Sequence, residues 1–298
     1  MKIVSVNSGF GNFITKFSEL DNPSEYYFIF PDSIIFKKFA DELNIKQYYV
    51  TNDTLLSKFY LLIRLAFNKN TIYIPYGDRN YYLILTKLFG NKIICNQASS
   101  IKQSFLIKLL KIKPISCNHF VNEGESFIQL ITNNRYSPKF IIPQKVRLSQ
   151  LAFENICLIP NSYGGMKNTK SLTLDQFKSI ISKFSNIFVL GSNEDKKTCN
   201  PSINSLIKKK NNIIDMRGKN LDDQIRIAKD KKNVIGSDGG LIHLFSFYKL
   251  NTYTIPNASK IRRSLSKNTK ILDLNIEFKF YSYYISLDTN EQFEYGLK

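Results

Sequence analysis

Short apolar runs rich in Val, Ile, Tyr and Phe alternate along this chain with longer segments whose apolar residues return every three or four positions. The first pattern is that of buried strands, the second that of helices with one face in a core. In the first half, Lys2–Val6, Tyr26–Phe30, Gln47–Val50, Thr71–Ile74 and Lys92–Cys95 read as strands. Between them, Ile34–Leu43, Leu55–Phe67, Tyr81–Phe89 and Ile101–Leu110 read as helices. The alternation restarts near Asn155, with strands at Asn155–Ile159, Asn186–Leu190, Asn212–Asp215 and Asn233–Gly236. Helices fall at Leu174–Phe184, Ser202–Lys210, Leu221–Lys229 and after Gly240. Thr173 and Asp175 supply a cap and a dipole partner for the helix from Leu174.

Strands that alternate with helices build parallel sheets covered on both faces, so the fold class is α/β. Two separate series predict two Rossmann-like, doubly wound domains. The first is placed at 1–145 and the second at 146–265, with a hinge in the Pro-containing stretch Ser137–Gln150. The tail 266–298, aromatic and slightly acidic from Asn275, is expected to pack back on the first domain. Ligands of doubly wound sheets sit beyond the carboxyl ends of the strands. Two such domains facing each other leave a cleft that suits a ligand.

Composition permits this plan and adds one constraint. The 298 residues, 43% of them hydrophobic, suffice for two cores. A net charge of +18 calls for an anionic partner: nucleic acid, an acidic membrane surface or a phosphorylated substrate. An AT-rich genome would enrich Lys, Asn and Ile as well. Cys95, Cys117, Cys157 and Cys199 are far apart and form no C-x-x-C pair, which predicts reduced, partly buried thiols in a cytoplasmic protein. With His119 and His243 as the only histidines, no metal site is expected. The opening MKIVSVNSGFGNF lacks the long apolar stretch of a signal peptide, and no run of about 18 apolar residues would span a membrane.

Candidate chemistry gathers in loops that follow strands. Ser237-Asp238-Gly239-Gly240-Leu241-Ile242-His243-Leu244 reads as strand end, glycine turn and helix start. Adjacent glycines let backbone approach a ligand closely, and N–H groups at a helix start favour an anion. Asp238 would accept from a sugar hydroxyl, or it is a capping Asp in a tight turn. His243, one turn into the helix, either supports the loop or packs. Asn161 and Ser162 begin a small polar loop that contains Lys167 and Lys170, and a Lys there would neutralise a diphosphate. A solvated surface explains either Lys equally well. Ser8, Gly9, Gly11 and Asn12 follow the first strand and form a second glycine loop for phosphates or acceptor.

The second half, in order and spacing, resembles glycosyltransferase family 9, the heptosyltransferase-like enzymes of bacterial surface polysaccharide assembly. Ile156–Gly165 with Lys170 and Leu174–Phe177 is similar to the family's strand, small polar loop, Lys turn and helix. Phe188–Ser192 resembles its second strand and glycine turn, and Ile214–Gly218 with Leu221–Ala228 its following segment. Ser237–Leu244 is similar to its "D-S/T-G-x-x-H-L" signature. In the first half, Ser8–Asn12, Ile74–Lys87 and His119–Ile131 match more faintly, so the resemblance reaches to about residue 256. It implies a GT-B fold and metal-independent, inverting transfer from a nucleotide-diphosphate sugar, with no cofactor. The acceptor would be an anionic bacterial glycolipid or polysaccharide of lipopolysaccharide type. It also implies that Asp238 and the following amides hold the donor and that Lys170 contacts its phosphate.

One departure bears on catalysis. The family carries an Asp after the second glycine of the first loop, taken to deprotonate the acceptor; here Asn12 stands there, and an amide is no base. Asp78, after strand Thr71–Ile74, is the chosen substitute, against a plain turn-forming role in Tyr76-Gly77-Asp78-Arg79. Glu123 and Glu125 rank behind it. In Ile101–Lys113, Lys102, Lys108 and Lys111 surround Phe105, Leu106, Leu109 and Leu110. This suits either an anionic membrane surface on the cytoplasmic side or an ordinary helix with lysines in water. Three rivals remain: a silent relative that only binds nucleotide-sugar or glycolipid, a sugar-nucleotide epimerase or hydrolase, and a basic nucleic-acid binder. No nucleic acid is expected as partner, because no recognised binding motif accompanies the charge.

Overall fold

The computed structural model describes residues 1–6, 11, 13–14, 23–51, 54–74, 81–95, 101–112, 144–162, 171–255 and 269–274. Described residues up to 112 form one compact unit and those from 144 a second.

In the first unit the runs of β-branched and aromatic residues make strands β1 (Lys2–Ser5), β2 (Tyr26–Pro31), β3 (Tyr48–Thr51), β4 (Thr71–Ile74) and β5 (Lys92–Cys95). They pair in parallel, in the order β3-β2-β1-β4-β5, with Lys2 opposite both Tyr26 and Thr71. The order reverses between β1 and β4, so the segments that follow these two strands leave from neighbouring points. One face of the sheet presents Ile3, Ile29, Ile72 and Ile93 to Leu61 and Leu65 of the helix Leu55–Ala66 and to Leu83, Ile84 and Ile107. The helix Ile34–Glu42 covers other aromatic side chains, its Phe36 stacking on Phe30 with ring centroids 5.9 Å apart and meeting Phe13 at 5.2 Å.

The second unit has β6 (Lys145–Arg147), β7 (Asn155–Ile159), β8 (Asn186–Val189), β9 (Ile213–Asp215), β10 (Asn233–Ser237), β11 (Asn251–Ile255) and β12 (Thr269–Asp273). Among the described residues these form one parallel sheet in the order β6-β12-β11-β10-β7-β8-β9, the doubly wound arrangement, with its reversal between β7 and β10. Gly236 sits opposite Ile159, and a Cβ there would come within 2.6 Å of the Ile159 Cβ. The helix Leu174–Lys183 opens on the expected cap. Gln176 N–H donates to Thr173 Oγ1 at 3.2 Å, and Thr173 N–H donates to Gln176 Oε1 at 2.8 Å. The helix buries Phe177 and Ile180, which with Leu158, Ile187 and Val189 belong to the unit's core.

The expected α/β class holds, and the expected elements recur with ends shifted by about one or two residues. Four differences stand out. Tyr81–Phe89 is a 3-10 helix rather than α-helical; its aromatic pair and the β-branched Ile84 and Thr86 weaken α-helix formation. Asn193–Thr198 forms a short helix of its own, set off by a Ser192–Asp195 capping box. β6 and β11 were not anticipated, β6 being too short to show a period. Finally, Thr269–Asp273, assigned to a tail on the first domain, pairs instead with β11 and β6 of the second sheet, while 275–298 lie outside the described residues. The five residues Thr-Lys-Ile-Leu-Asp are too brief a run to separate a strand from a tail.

Cys95, Cys157 and Cys199 are free thiols and fully buried, and Cys117 lies outside the described residues. Burial pushes the Cys157 thiol up to about 12, so it packs as a small apolar group and is not a thiolate.

Candidate functional site

The reversal between β7 and β10 places two loops side by side at the carboxyl end of the second sheet. β7 runs into Pro160-Asn161-Ser162, and β10 into Asp238-Gly239-Gly240. Leu172 N–H donates to the Pro160 carbonyl at 2.7 Å, so the two ends of the loop between them are held together. Lys167 and Lys170 fall in that loop and lie outside the described residues. Gly239 packs directly against Ser162, and a Cβ at 239 would overlap the Ser162 side chain. Glycine at this position is therefore required by close approach.

The helix Gly240–Phe247 begins with Gly239 as its N-cap, in extended backbone and without a side-chain cap. No acidic residue lies in its first turn. Its first N–H groups have no intrahelical acceptor, and the helix dipole adds positive potential there. The end is suited to an anion.

Asp238 and His243 are both almost fully buried, with His243 Nε2 3.2 Å from Asp238 Oδ1. The Asp carboxylate thus lies beside the first turn of the helix that follows it, within ion-pair distance of His243. It is not the N-cap, a place Gly239 takes. Ser237 Oγ is buried without a hydrogen-bond partner among the described residues. Asn161 is divided: its Nδ2 donates to the Asp195 carbonyl at 2.8 Å and Thr198 Oγ1 at 3.2 Å, while its buried Oδ1 has no partner among the described residues. Asn161 therefore links the β7 loop to the short helix after β8 before it contacts any ligand.

A polar frame behind these loops was not found from the sequence. Gln224 Oε1 accepts from Gly191 N–H at 2.9 Å, and its Nε2 donates to the Gly191 and Lys219 carbonyls at 3.1 and 2.9 Å. Arg217 is buried; its Nε and Nη2 donate to the two Asp215 oxygens at 2.8 and 3.0 Å, and Nη1 donates to Asn204 Oδ1 at 2.8 Å. Burial pushes Asp215 up, but hydrogen bonds and charge from Arg217, with Lys196, outweigh it and hold the carboxyl below its ordinary value. One signal was available: Gln224 shares the buried helix face with Ile225 and Ala228, where a polar side chain must find partners.

In the first unit the structure describes less of the expected site. Gly11 is helical and half-buried; Ser8, Gly9, Asn12, Asp78, Glu123 and Glu125 lie outside the described residues. The strands feeding the two loops, β1 and β4, are adjacent. Lys108 and Lys111 are exposed on and just past the helix Ile101–Leu109, which also carries Lys102. The expected inward apolar face is only partly inward: Ile107 is buried, whereas Phe105 and Leu109 stand in solvent beside Lys108.

No protein-family model matches the sequence, and no curated protein does. Solved structures are similar in fold. That of E. coli heptosyltransferase WaaC with ADP-2-deoxy-2-fluoro heptose matches over 91% of this chain and 92% of that one, at a TM-score of 0.50 and 11% identity. The same enzyme with ADP covers 91% and 93% of the two chains, at a TM-score of 0.46 and 11% identity. The first of these likenesses, with the two parallel sheets, gives the chain the GT-B fold.

Proposed function

We propose that this protein is a glycosyltransferase. It moves a sugar from a nucleotide-diphosphate donor to a hydroxyl of an anionic bacterial glycolipid or polysaccharide of lipopolysaccharide type. The observation that carries this reading is the pairing of the Asn161–Ser162 loop with the Asp238–Gly240 turn at the reversal of the second sheet. Doubly wound sheets hold nucleotides at such a point. The ADP-linked sugar in the similar heptosyltransferase is the chemical class we take for the donor.

In this reading the first-turn N–H groups of the helix Gly240–Phe247 receive the diphosphate, and Lys170 or Lys167 neutralises it. Asp238, steadied by His243, accepts from a sugar or ribose hydroxyl. The acceptor oxygen attacks the anomeric carbon from the face opposite the diphosphate, giving inversion without a metal. The carbon–oxygen bond to phosphate breaks, and its electron pair leaves with the nucleotide. Asp78 takes the acceptor proton, since Asn12 has no basic oxygen of use.

The test is release of free nucleoside diphosphate from donor sugars in the presence of extracted glycolipid. Asp78→Asn should abolish release while donor binding persists. Full release in Asp78→Asn removes it as the base, and no release by the parent with any donor sinks the transferase reading.

A further inference from the structure

The helix Leu55–Ala66, the 3-10 helix Tyr81–Phe89 and the helix Ile101–Leu109 each put one side into the same core. Their other sides are not polar. Among the described residues thirteen large apolar side chains are exposed, and eleven of them lie on these three helices or their ends. On the first helix they include Leu55, Leu56, Phe59 and Phe67, between 62% and 85% exposed. At about 100° per residue its outward apolar positions span an arc of roughly 140°, as wide as a core-facing stripe. Ile101, Phe105 and Leu109 repeat the motif at every fourth residue. An apolar surface of this extent marks a contact.

Charge says with what. Residues 54–122 contain ten Lys and Arg but a single acid, Asp78. Arg64, Lys69, Lys87, Lys108 and Lys111 are exposed among or beside the apolar side chains. A second copy docking through the same face would bring cations onto cations. Nucleic acid would satisfy the cations and leave Leu and Phe in water. An anionic bilayer satisfies both, with apolar side chains at the acyl boundary and cations among headgroup phosphates. Among the described residues no helix is long and apolar enough to cross a membrane, so the contact is one of the interface.

We infer that this three-helix face of the first unit docks the protein on an anionic phospholipid bilayer. The inference does not depend on the nucleotide site of the second unit, so either reading can fail alone. The full chain is floated with vesicles of phosphatidylcholine alone or with about one-third phosphatidylglycerol. Binding to the anionic vesicles should be at least about tenfold stronger and weaken with salt. Leu56→Ser/Phe59→Ser/Phe105→Ser changes exposed positions only, and a native melting profile confirms its fold. It should bind anionic vesicles about tenfold or more weakly. Lys87→Glu/Lys108→Glu/Lys111→Glu should lose the preference for anionic lipid. The inference is overturned if the parent does not float with anionic vesicles, or if the serine variant floats as well as the parent. It is equally overturned by self-association through this face, or by DNA binding, without vesicle binding.

Discussion

The two units share a doubly wound plan but finish their outer helices in opposite ways. In the second unit, side chains of Thr173, Ser192, Asn200 and Asn220 cap helices, and Asp175, Lys178 and Lys183 line the wet side of Leu174–Lys183. Ile214 is its one exposed large apolar side chain among the described residues. In the first unit the helices Leu55–Ala66 and Ile101–Leu109 turn Leu, Ile and Phe outward. A parallel sheet needs one apolar side from each helix; the other side is free to vary. The second unit turns that side polar, and the first turns it apolar.

The sharpest way to break the comparison is to truncate an aromatic on each side of it. Phe177→Ala empties a fully buried site in the second core and should cost about 3–5 kcal/mol in urea unfolding. Phe59→Ala, at 62% exposure, should cost under about 0.5 kcal/mol. Equal losses would mean that the outer face of the first unit is a core.

Next in size is the ion pair between Arg217 and Asp215 at the end of β9. Arg217→Ala leaves Asp215 half-buried without its main partner and should cost about 3 kcal/mol, read by the same unfolding curves. The pH dependence has a definite sign. Asp215 lies below the ordinary carboxyl value of 3.8 when folded, so its contribution is present above the unfolded pKa. It is lost as pH falls through the still lower folded value. Stability from this pair should therefore be complete at neutral pH and fade below 3.8, and Arg217→Ala should lose that acid-side fall. An unchanged acid profile in the variant would show that the pair does not hold Asp215 down.

The smallest effect belongs to a cap. Thr173→Ala removes the acceptor for Gln176 N–H and should cost about 1 kcal/mol, visible as a lower urea midpoint at unchanged slope. A neutral result would mean that water replaces the hydroxyl at no cost.

Legibility in the sequence followed the range of the interaction. Asp238-Gly239-Gly240 was readable because a strand, two glycines and an apolar helix follow one another directly. The cap at Thr173 was readable for the same reason. The Asp238–His243 contact was not, since nothing in the pattern tells whether the His points back or away. Asn161 shows the limit from the other side: its polarity suggested a ligand, yet its amide reaches Asp195 and Thr198, more than thirty residues on. Apolar spacing in Leu55–Ala66 and Ile101–Leu109 announced apolar faces. It was silent on which of them meet protein, because a core and a bilayer select the same side chains.

The most direct test of the account is a calorimetric titration of ADP, UDP, GDP and CDP into the parent and into Asp238→Asn/Lys170→Ala. The account expects one nucleoside diphosphate to bind the parent with a stoichiometry near one per chain. The double variant should melt with native cooperativity and bind at least about tenfold more weakly, the loss of one charge-assisted contact or more. Equal affinity in the two proteins, or no binding by the parent to any of the four, would contradict it.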